Sequence, residues 1–471
     1  MRVWIWMAAM CMSALANAQL IEWTLQDCID TAIAKNIDFE IAKKNGQLSR
    51  EDLMQAKASK LPDLSFGAGQ FVQSGRSIDR FTNQFTVQTI ASNNFQLQSS
   101  AILYSGGQIR NQIAASENNT KASEEDVEFA KQNLSFTVAN SYLQAIQAGE
   151  QKEISAQNVK NTKDQLTRIK KLYAAGAVGE GDLINLQAQL ANEEAGYVNA
   201  TTAENAALTS LKLLLRIPGE NKFVLRNLNL GTIRPSNYSL PLQELYDTAI
   251  ALRSDIKASE FRLMASKALE KSIQGSALPT LSIGANLNTV YSGNALEIES
   301  VTLQGVNTIG YVRTSLDEVL QPSYKVNYKT IGFSQQLRNN FGTSVGLNLS
   351  MPIYNKRQIK TGINKAKINT DIGQLNLDRI KQNLYNEIAT AYVNFTNSKS
   401  RFEANKIAFE LQDKNVTLNQ KRFEAGQISE FDFQTTKNAY NLSNQNFIVA
   451  KYNYVFNRLV LDYYAGLNLS L

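Results

Sequence analysis

The chain has 471 residues, and its 48 Lys and Arg against 42 Asp and Glu give a formal net charge of +6. It contains no histidine, which excludes a Ser-His-Asp or Cys-His catalytic site and a zinc site built on histidine. The basic residues are spread along the chain, whereas a nucleic-acid-binding surface needs a basic stripe with aromatic platforms. We therefore predict that the chain is not an enzyme, and that it has no cofactor, no metal site and no nucleic-acid partner.

The first 18 residues match the pattern of a secretory signal peptide. Arg2 supplies the basic start, the run Val3–Leu15 is apolar, and Ala16-Asn17-Ala18 is a small-residue cleavage site. The apolar run is too short to span a bilayer, so we expect the mature chain to begin near Gln19 and to leave the cytoplasm. Cys28 is then its one cysteine, which excludes an intrachain disulfide and, in a helical pattern, predicts a buried, unreactive thiol.

The chain is organised around an internal duplication. Tyr104-Ser-Gly-Gly-Gln-Ile109 is matched by Tyr354-Asn-Lys-Arg-Gln-Ile359, and Lys131-Gln-Asn-Leu134 recurs as Lys381-Gln-Asn-Leu384, both 250 positions later. Duplication on this scale decides the architecture before any single residue does. We divide the chain into a signal peptide (1–18), a first repeat (19–216), a linker (217–240) and a second repeat (241–471).

Each repeat begins with a predicted helix, over Trp23–Ser59 and over Leu242–Ala277, which a Leu-Pro dipeptide ends. A much longer helix follows later in each repeat. The first, Gln108–Tyr173, would be about 100 Å long at about 1.5 Å per residue, so it must belong to a coiled coil or a wall. Because the return helix over Asp182–Leu215 is much shorter, we expect two shorter helices, stacked end to end, beside each long one.

Apolar residues seven positions apart precede the end of each long helix. They are Val159, Leu166 and Tyr173 in the first repeat and Phe402, Phe409, Val416 and Phe423 in the second. This spacing predicts a two-stranded antiparallel coiled coil that closes at each tip.

The two tips carry helix-ending and helix-starting signals. Gly176 and Gly426 suit left-handed C-caps. Ser429-Glu-Phe-Asp432 predicts a capping box for the return helix, whereas the first repeat has Gly179 and Asp182 in the corresponding places, which is a weaker cap.

After each Leu-Pro, the apolar period changes from that of a helix to a period of two. The alternation predicts four strands with small polar residues on the opposite face, at Leu64–Ala68, Phe95–Leu103, Leu281–Leu287 and Val345–Ile353. This pattern suits a lipid-facing barrel with a wet lumen. A soluble hairpin packed on helices is the alternative.

Four strands cannot close a barrel, because transmembrane barrels begin at about eight strands. Chains must therefore pool their strands, and three chains would give twelve. The connections at roughly Gly75–Ser92 and Tyr291–Asn340 are predicted as outward-facing loops, of which the second is longer. Aromatic residues that could form girdles are Phe66, Phe95, Phe341 and Tyr354.

In this order and in duplicate, the Leu-Pro dipeptides, the Tyr-x-x-x-Gln-Ile entries to the long helices and the Ala-Gly-x-x-x-x-x-Asp tips resemble TolC-like outer membrane efflux proteins over the whole mature chain. The resemblance implies a mainly α fold with a β-barrel part. Long coiled-coil helix pairs would form an α-barrel, and four strands per chain would enter a twelve-stranded trimeric transmembrane β-barrel. The chain would lie in the cell outer membrane, extend into the periplasm, and serve as a passive exit duct for small molecules.

The resemblance also implies partners. They are two further copies of the chain in a homotrimer, a periplasmic adaptor (membrane fusion) protein, an inner-membrane pump reached through the adaptor, and outer membrane lipid. Adaptor contact is expected at the tips, on Gly176, Gly179, Asp182, Gly426, Ser429 and Asp432.

The resemblance finally implies a periplasmic gate. In the family, an acidic ring on the second long helix narrows the mouth, and Glu410 and Asp413 are the carboxylates available there. Lys160 and Lys163 occupy the equivalent positions of the first repeat. Lysine–carboxylate contacts between neighbouring coiled coils would hold the mouth closed; two solvated helix faces are the alternative.

Two other functions remain open. An outer membrane conduit of a type I protein secretion system would use much the same channel with a different inner-membrane partner. A non-pore periplasmic coiled-coil structural protein would be water-soluble and have little strand content. The chain has no Gly-rich nucleotide-binding loop, so an efflux or a secretion conduit would need energy from a partner. Binding of the adaptor would open the conduit by shifting the population of the tips from closed to open.

Overall fold

The structure is a computed structural model that describes residues 22–78, 83–218, 223–226 and 241–467. The predicted signal peptide (1–18) and most of the predicted linker (217–240) lie outside the described residues. The helices are α1 (Leu25–Lys35), α2 (Ile37–Ala58), α3 (Gln108–Ala174), α4 (Glu180–Leu215), α5 (Leu242–Leu252), α6 (Ser254–Gly275), α7 (Phe333–Asn339), α8 (Gln358–Glu424) and α9 (Glu430–Tyr464). The strands are β1 (Glu22–Trp23), β2 (Asp63–Ile78), β3 (Phe85–Ser105), β4 (Val224–Leu225), β5 (Thr280–Ser292), β6 (Leu296–Tyr311), β7 (Glu318–Thr330) and β8 (Gly342–Ser350).

The duplication is visible in the lengths of the helices. The long helices α3 and α8 have 67 residues each. The short pairs match as well, since α1 and α5 have 11 residues each and α2 and α6 have 22 each. Each repeat therefore contains the predicted long helix, return helix and preceding helical segment. In the part of the chain that the structure describes, no helix is long and apolar enough to cross a membrane.

The prediction of one unbroken helix over Trp23–Ser59, and of another over Leu242–Ala277, was wrong. Asn36 and Arg253 have extended backbones that separate α1 from α2 and α5 from α6. Side chains stabilise both breaks. The Asn36 carboxamide accepts a hydrogen bond from the third residue of α2 at 3.0 Å, and the Arg253 guanidinium donates two to Asp255 at 2.8 and 2.9 Å. Such local bonds compete with the helix and leave no trace in the apolar period.

The four predicted strands form one antiparallel sheet in the order β2-β3-β5-β8. The predicted loop at Gly75–Ser92 is mostly strand, because β2 and β3 remain paired up to Ile78 and Phe85. The last strand has the predicted length but lies three residues earlier in the chain, beginning at Gly342. It ends at Ser350, since Pro352 cannot donate a backbone hydrogen bond and stops the ladder.

The register of this sheet separates apolar from polar side chains. Directly paired residues share a face, and most of the residues on one face are apolar. Its rows are Leu64–Ser99–Ala285–Val345, Phe66–Leu97–Leu287–Thr343 and Ala101–Ile283–Leu347. The other face carries small and polar residues, with rows Ser65–Gln98–Asn286–Ser344 and Gly67–Gln96–Asn288–Gly342. Large side chains of the apolar face are exposed in the single chain: Leu64 at 71%, Phe66 at 69% and Leu347 at 68%.

The longer predicted loop, Tyr291–Asn340, contains ordered structure that its composition did not predict. Strands β6 and β7 pair with each other as a two-stranded sheet that is separate from the four-stranded one. Helix α7 follows β7 and leads into β8. This insertion accounts for the greater length of the second repeat.

Packing divides the chain into two compact units, of which one comprises the described residues of 1–51, 118–264 and 371–471 and the other those of 52–117 and 265–370. In the first unit, the start of α1 and the end of α4 meet beside the middle of α3, as the end-to-end arrangement predicts. Helix α9 joins the repeats, because its two sides belong to different cores. Ile448, Tyr452, Val455 and Leu459 pack with the first repeat, and Tyr454 and Leu461 pack with the second.

Tyr142 of α3 fixes the short parallel pair of β1 with β4. Its side chain is 1% exposed, and its hydroxyl donates to the backbone oxygens of Trp23 at 3.1 Å and Arg226 at 2.8 Å. The start of the described chain and the described part of the linker are therefore held on the same long helix.

Cys28 is fully buried in the core of the first repeat, as predicted. Burial, with a smaller contribution from the Asp27 carboxylate, raises the pKa of its thiol to about 12. We expect Cys28 of the folded protein to resist a maleimide at about pH 8, because the reactive species is the thiolate. An added cysteine at an exposed position of the same helix, Asp30→Cys, is expected to react rapidly. Equal labelling of both thiols, counted by mass spectrometry, would contradict the buried position of Cys28.

Candidate functional site

The two helical hairpins α3–α4 and α8–α9 end in nearly identical tips. Gly176 and Gly426 both have φ of +71°, which confirms the predicted left-handed caps. At the first tip, the N–H of Gly176 donates to the backbone oxygen of Tyr173 at 2.9 Å. The N–H of Ala177 donates to the backbone oxygen of Leu172, also at 2.9 Å. The second tip repeats this pair of bonds. This arrangement is a Schellman motif, which satisfies carbonyls that the helix end leaves free.

The return helices start differently, as the sequence predicts. The Ser429 hydroxyl accepts a hydrogen bond from the N–H of Asp432 at 3.2 Å and donates to its carboxylate at 2.7 Å. At the first tip, Gly179 has no side chain to offer, and only its N–H bonds to the Asp182 carboxylate, at 3.3 Å. The second tip therefore has the stronger helix start.

We predict that Ser429→Ala lowers the stability of the α9 start by about 1 kcal/mol, because it removes an N-cap. Gly179→Ser is the matched change at the other tip, and we expect it to stabilise α4 by a few tenths of a kcal/mol. Hydrogen exchange of the amides in the first turn of each helix measures both effects. Faster exchange in both variants would contradict the capping assignment.

Aromatic side chains close the second hairpin. The rings of Phe402 and Phe409 both stack on the ring of Phe447, with 5.9 and 5.2 Å between centroids. The ring of Phe423 stacks on that of Phe433, with 5.1 Å between centroids. The first hairpin is aliphatic instead, with Leu166, Ile169 and Leu186 forming its core. Of the predicted heptad residues, Leu166, Phe402, Phe409 and Phe423 thus lie at the seams, whereas Tyr173 is 42% exposed.

A buried lysine joins the two hairpins of the chain. Lys437 of α9 is 5% exposed, and its Nζ donates to Thr162 Oγ1 of α3 at 2.6 Å. Glu193 of α4 lies 3.7 Å from the same Nζ. Burial lowers the pKa of Lys437, while the Glu193 carboxylate opposes this change. The contact therefore places a desolvated cation where three helices of two repeats meet.

Further polar contacts surround Lys437 on the side towards the tips. Gln434 Nε2 donates to Gln165 Oε1 at 3.2 Å, and the Arg168 guanidinium lies 5.3 Å from the centre of the Phe423 ring. We call Thr162, Gln165, Glu193, Gln434 and Lys437 the inter-hairpin cluster. Glu193 Oε2 and Gln434 Oε1 are buried without a hydrogen-bond partner, so the cluster is only partly satisfied.

The structure does not bring the four predicted gate residues together within one chain. Glu410, Asp413, Lys160 and Lys163 are all exposed. Lys163 instead forms an ion pair with Glu194 of its own hairpin at 2.7 Å, and in the described residues no ion pair joins Glu410 or Asp413 to a lysine. Contacts between these groups in different copies stay a prediction.

Sequence reasoning missed the inter-hairpin cluster, although a signal for it exists. In α9, Phe433, Tyr440, Phe447 and Tyr454 are seven residues apart and face the second repeat. Lys437, Asn444, Lys451 and Arg458 form a parallel polar series with the same period. Lys451 also reaches the first repeat, where Glu150 accepts two hydrogen bonds at 2.7 and 2.8 Å. Lys437 and Lys451 of this series thus mark a second seam, towards the first repeat, whereas Arg458 pairs with Asp462 of its own helix.

A family model described as "Outer membrane efflux protein" matches residues 28–215 and 245–467. "Toxin and drug export protein A" of Aggregatibacter actinomycetemcomitans is 20% identical over 335 residues, which cover 71% of this chain and 64% of that protein. "Outer membrane efflux protein BepC" of Brucella suis biovar 1 (strain 1330) is 23% identical over 278 residues, covering 58% and 57%. The chain therefore spans less than two thirds of the length of these curated relatives.

The fold is also found among solved structures. The outer membrane channel CmeC of Campylobacter jejuni has a TM-score of 0.73 at 19% identity, over 95% of this chain and 87% of that chain. At this identity the likeness shows the fold, and the functional residues must be argued from the chain itself. Among the described residues, no group of three His, Cys, Asp or Glu side chains is placed to hold a metal ion.

Proposed function

The chain belongs to the outer membrane efflux protein family, and we propose that it forms the outer membrane channel of a tripartite efflux system. It is then a passive exit duct for small molecules across the periplasm and outer membrane, without catalysis of its own. Membership of this family gives the chain an outer membrane location with an extension into the periplasm. We also propose that the first repeat ends at residue 216 and that the second repeat begins after residue 240, with the linker between them.

The observation that carries this proposal is the two-faced four-stranded sheet. Its exposed apolar face suits lipid, and its face of serine, glycine, asparagine and glutamine suits a wet lumen. Strands β2 and β8 form the edges of the sheet in the described chain, and an open edge is not tolerated in the hydrocarbon region. Pairing β8 of one copy with β2 of the next closes the wall, and three copies supply twelve strands.

A non-pore coiled-coil protein does not explain this sheet. Such a protein would have little strand content, and its strands would not expose a mostly apolar sheet face, with Leu64, Phe66 and Leu347 each more than two-thirds exposed, to water. Two copies would already supply the roughly eight strands of the smallest transmembrane barrels, so strand number alone does not select the homotrimer, and we propose it from the family to which the chain belongs.

The helical hairpins would form the periplasmic part of the duct. We infer that the tips, with Gly176, Gly179, Asp182, Gly426, Ser429 and Asp432, dock a periplasmic adaptor protein that links the channel to an inner-membrane pump. The two Schellman turns expose backbone at both tips without bulky side chains, which allows close approach by a partner's chain.

We propose that two sets of residues hold the duct closed. Within a chain, the inter-hairpin cluster holds the first hairpin against α9. Between chains, Glu410 and Asp413 would approach Lys160 and Lys163 of a neighbouring copy. Adaptor docking would open the duct by binding the separated hairpins more tightly than the joined ones.

Accumulation assays in the source bacterium test the direction of transport. A strain that lacks this chain is expected to retain small amphipathic dyes and to secrete its proteins normally, and the parent chain is expected to restore dye export. The name of one relative mentions both toxin and drug export, so the secretion conduit is the second candidate. A mutant that exports dye normally but loses one protein from the medium would favour that candidate and overturn efflux.

A further inference from the structure

The β6–β7 ribbon, Leu296–Tyr311 with Glu318–Thr330, is amphipathic over most of its length, up to the pair Asn307–Gln321. One face carries the pairs Ile298–Tyr328, Val301–Val326, Leu303–Tyr324 and Val306–Pro322. The opposite face carries Glu297–Lys329, Ser300–Asn327, Thr302–Lys325 and Asn307–Gln321. The apolar face is exposed, with Ile298 at 59%, Leu303 at 63% and Tyr324 at 59%. An uncovered apolar face of this length marks a contact surface.

The edges of the ribbon are poor sites for a further strand. The β6 ladder is interrupted by three register shifts, after Ile298, Leu303 and Thr308, and bulges of this kind locally disrupt pairing. In β7, Pro322 removes a backbone donor. A partner must therefore contact the apolar face and cannot simply extend the sheet.

The root of the ribbon, which we define as the end of β5 together with helix α7, lies on the apolar face of the four-stranded sheet. Helix α7, which follows β7, packs Phe333 against Tyr291 and Phe95, at 5.1 and 6.2 Å between ring centroids. The Thr289 hydroxyl donates to the backbone oxygen of Leu337 at 2.8 Å. Phe95, Thr289 and Tyr291 have the same strand parity as Leu97 and Leu287, which belong to the apolar face.

The root is also rigid. The Gln336 side chain is 2% exposed; it accepts from the N–H of Ser292 at 2.9 Å and donates to the oxygens of Ser292 and Ile331 at 3.0 and 2.8 Å. The backbone N–H of Ile331 bonds to the oxygen of Ala295 at 2.9 Å, which fastens the two ends of the ribbon together. The ribbon consequently leaves the sheet from a fixed point at one end of β5.

We propose that the β6–β7 ribbon lies on the outer leaflet beside the barrel, with its apolar face in the lipid and its polar face in water. This proposal rests on the proposed function, because the apolar face of the sheet is the lipid-facing wall of the barrel. A ribbon rooted on that wall starts on the lipid side and not over the lumen. Between Leu296 and Val306 this face carries no charged side chain and includes Tyr324 and Tyr328, a composition typical of elements at a membrane interface, and its one carboxylate, Glu318, lies at the far end of the ribbon.

Tryptophan quenching tests the proposal with adjacent positions of one strand. Val306→Trp places the probe on the apolar face and Asn307→Trp places it on the polar face; both sites are exposed. The full mature protein is reconstituted into vesicles of phosphatidylcholine whose acyl chains carry bromine, and into unbrominated vesicles. The parent protein, which retains Trp23, supplies the background. We expect bromine to remove about half of the added emission in Val306→Trp, as for a side chain buried by 5–10 Å at the headgroup boundary, and to leave Asn307→Trp unchanged.

A third variant separates the failure of this proposal from failure of the barrel. Leu347→Trp lies on the apolar face of β8, and its emission must be quenched if that face contacts lipid. Quenching in Leu347→Trp without quenching in Val306→Trp would overturn the ribbon proposal alone. In that case, a blue-shifted spectrum for Val306→Trp would show that protein and not lipid covers the face, and a red-shifted one would place the ribbon in water. Absence of quenching in Leu347→Trp would contradict the proposed function itself.

Discussion

Replacing Lys437 with methionine is expected to raise the resting conductance of the reconstituted channel. The change removes the hydrogen bond to Thr162 and leaves the Glu193 carboxylate buried without its cation. Hydrogen bonds to charged groups contribute about 1.5–3 kcal/mol. A loss of about 2 kcal/mol from the joined hairpins would multiply the ratio of open to closed channels by roughly 30. Single-channel recording in planar bilayers measures that ratio as open probability.

Lys451→Met is the matched control for this prediction. Lys451 also lies on α9 and also pairs with the first repeat, through Glu150, but it is two heptads further from the tip than Lys437. We expect it to lower stability without changing open probability. An equal rise in both variants would show that general weakening of the helices, and not the inter-hairpin cluster, opens the duct. An unchanged open probability in Lys437→Met would remove the cluster from the gate and leave Glu410 and Asp413 to be tested.

Leu347→Arg is expected to prevent stable insertion into the membrane. Leu347 pairs with Ile283 on the apolar face of the sheet and is 68% exposed in the single chain. Arginine on the lipid face of a barrel costs about 2–4 kcal/mol near the midplane of the bilayer. Because each trimer contains the substitution three times, the cost is repeated around the wall. Folding into phosphatidylcholine vesicles, followed by denaturant titration, measures the loss.

The neighbouring residue provides the control for the lipid-facing assignment. Asn348 pairs with Ser282 on the polar face, so Asn348→Arg adds the same charge to the same strand on the lumen side. We expect its free energy of unfolding to stay within about 1 kcal/mol of the parent, since lumen positions tolerate charge. A larger loss in Asn348→Arg than in Leu347→Arg would show that the two faces are assigned the wrong way round.

Much of the fold could be predicted from the sequence because its signals are long and occur twice. The helix periods of the two long helices extend over tens of residues, and the offset of 250 positions aligns their ends. The glycines of the two tips were predictable for a different reason. A left-handed cap strongly favours glycine, and Gly176 and Gly426 both adopt it.

Features that depend on side-chain hydrogen bonds or on long-range packing could not be predicted in this way. The breaks at Asn36 and Arg253 depend on local bonds that compete with the helix. The β6–β7 ribbon escaped notice because its register shifts disturb the period of two on which strand prediction depends. The role of Lys437 depends on Thr162 and Glu193, which lie in the other repeat.

The central claim, that chains pool their strands into one channel, is tested most directly by measuring native mass and conductance on the same preparation. The protein is extracted in detergent, weighed by native mass spectrometry, and inserted into a planar bilayer. We predict a particle of about three mature chains that conducts in discrete steps, as twelve strands in a closed wall require. A particle with the mass of one chain, or a trimer that never conducts, would contradict the claim.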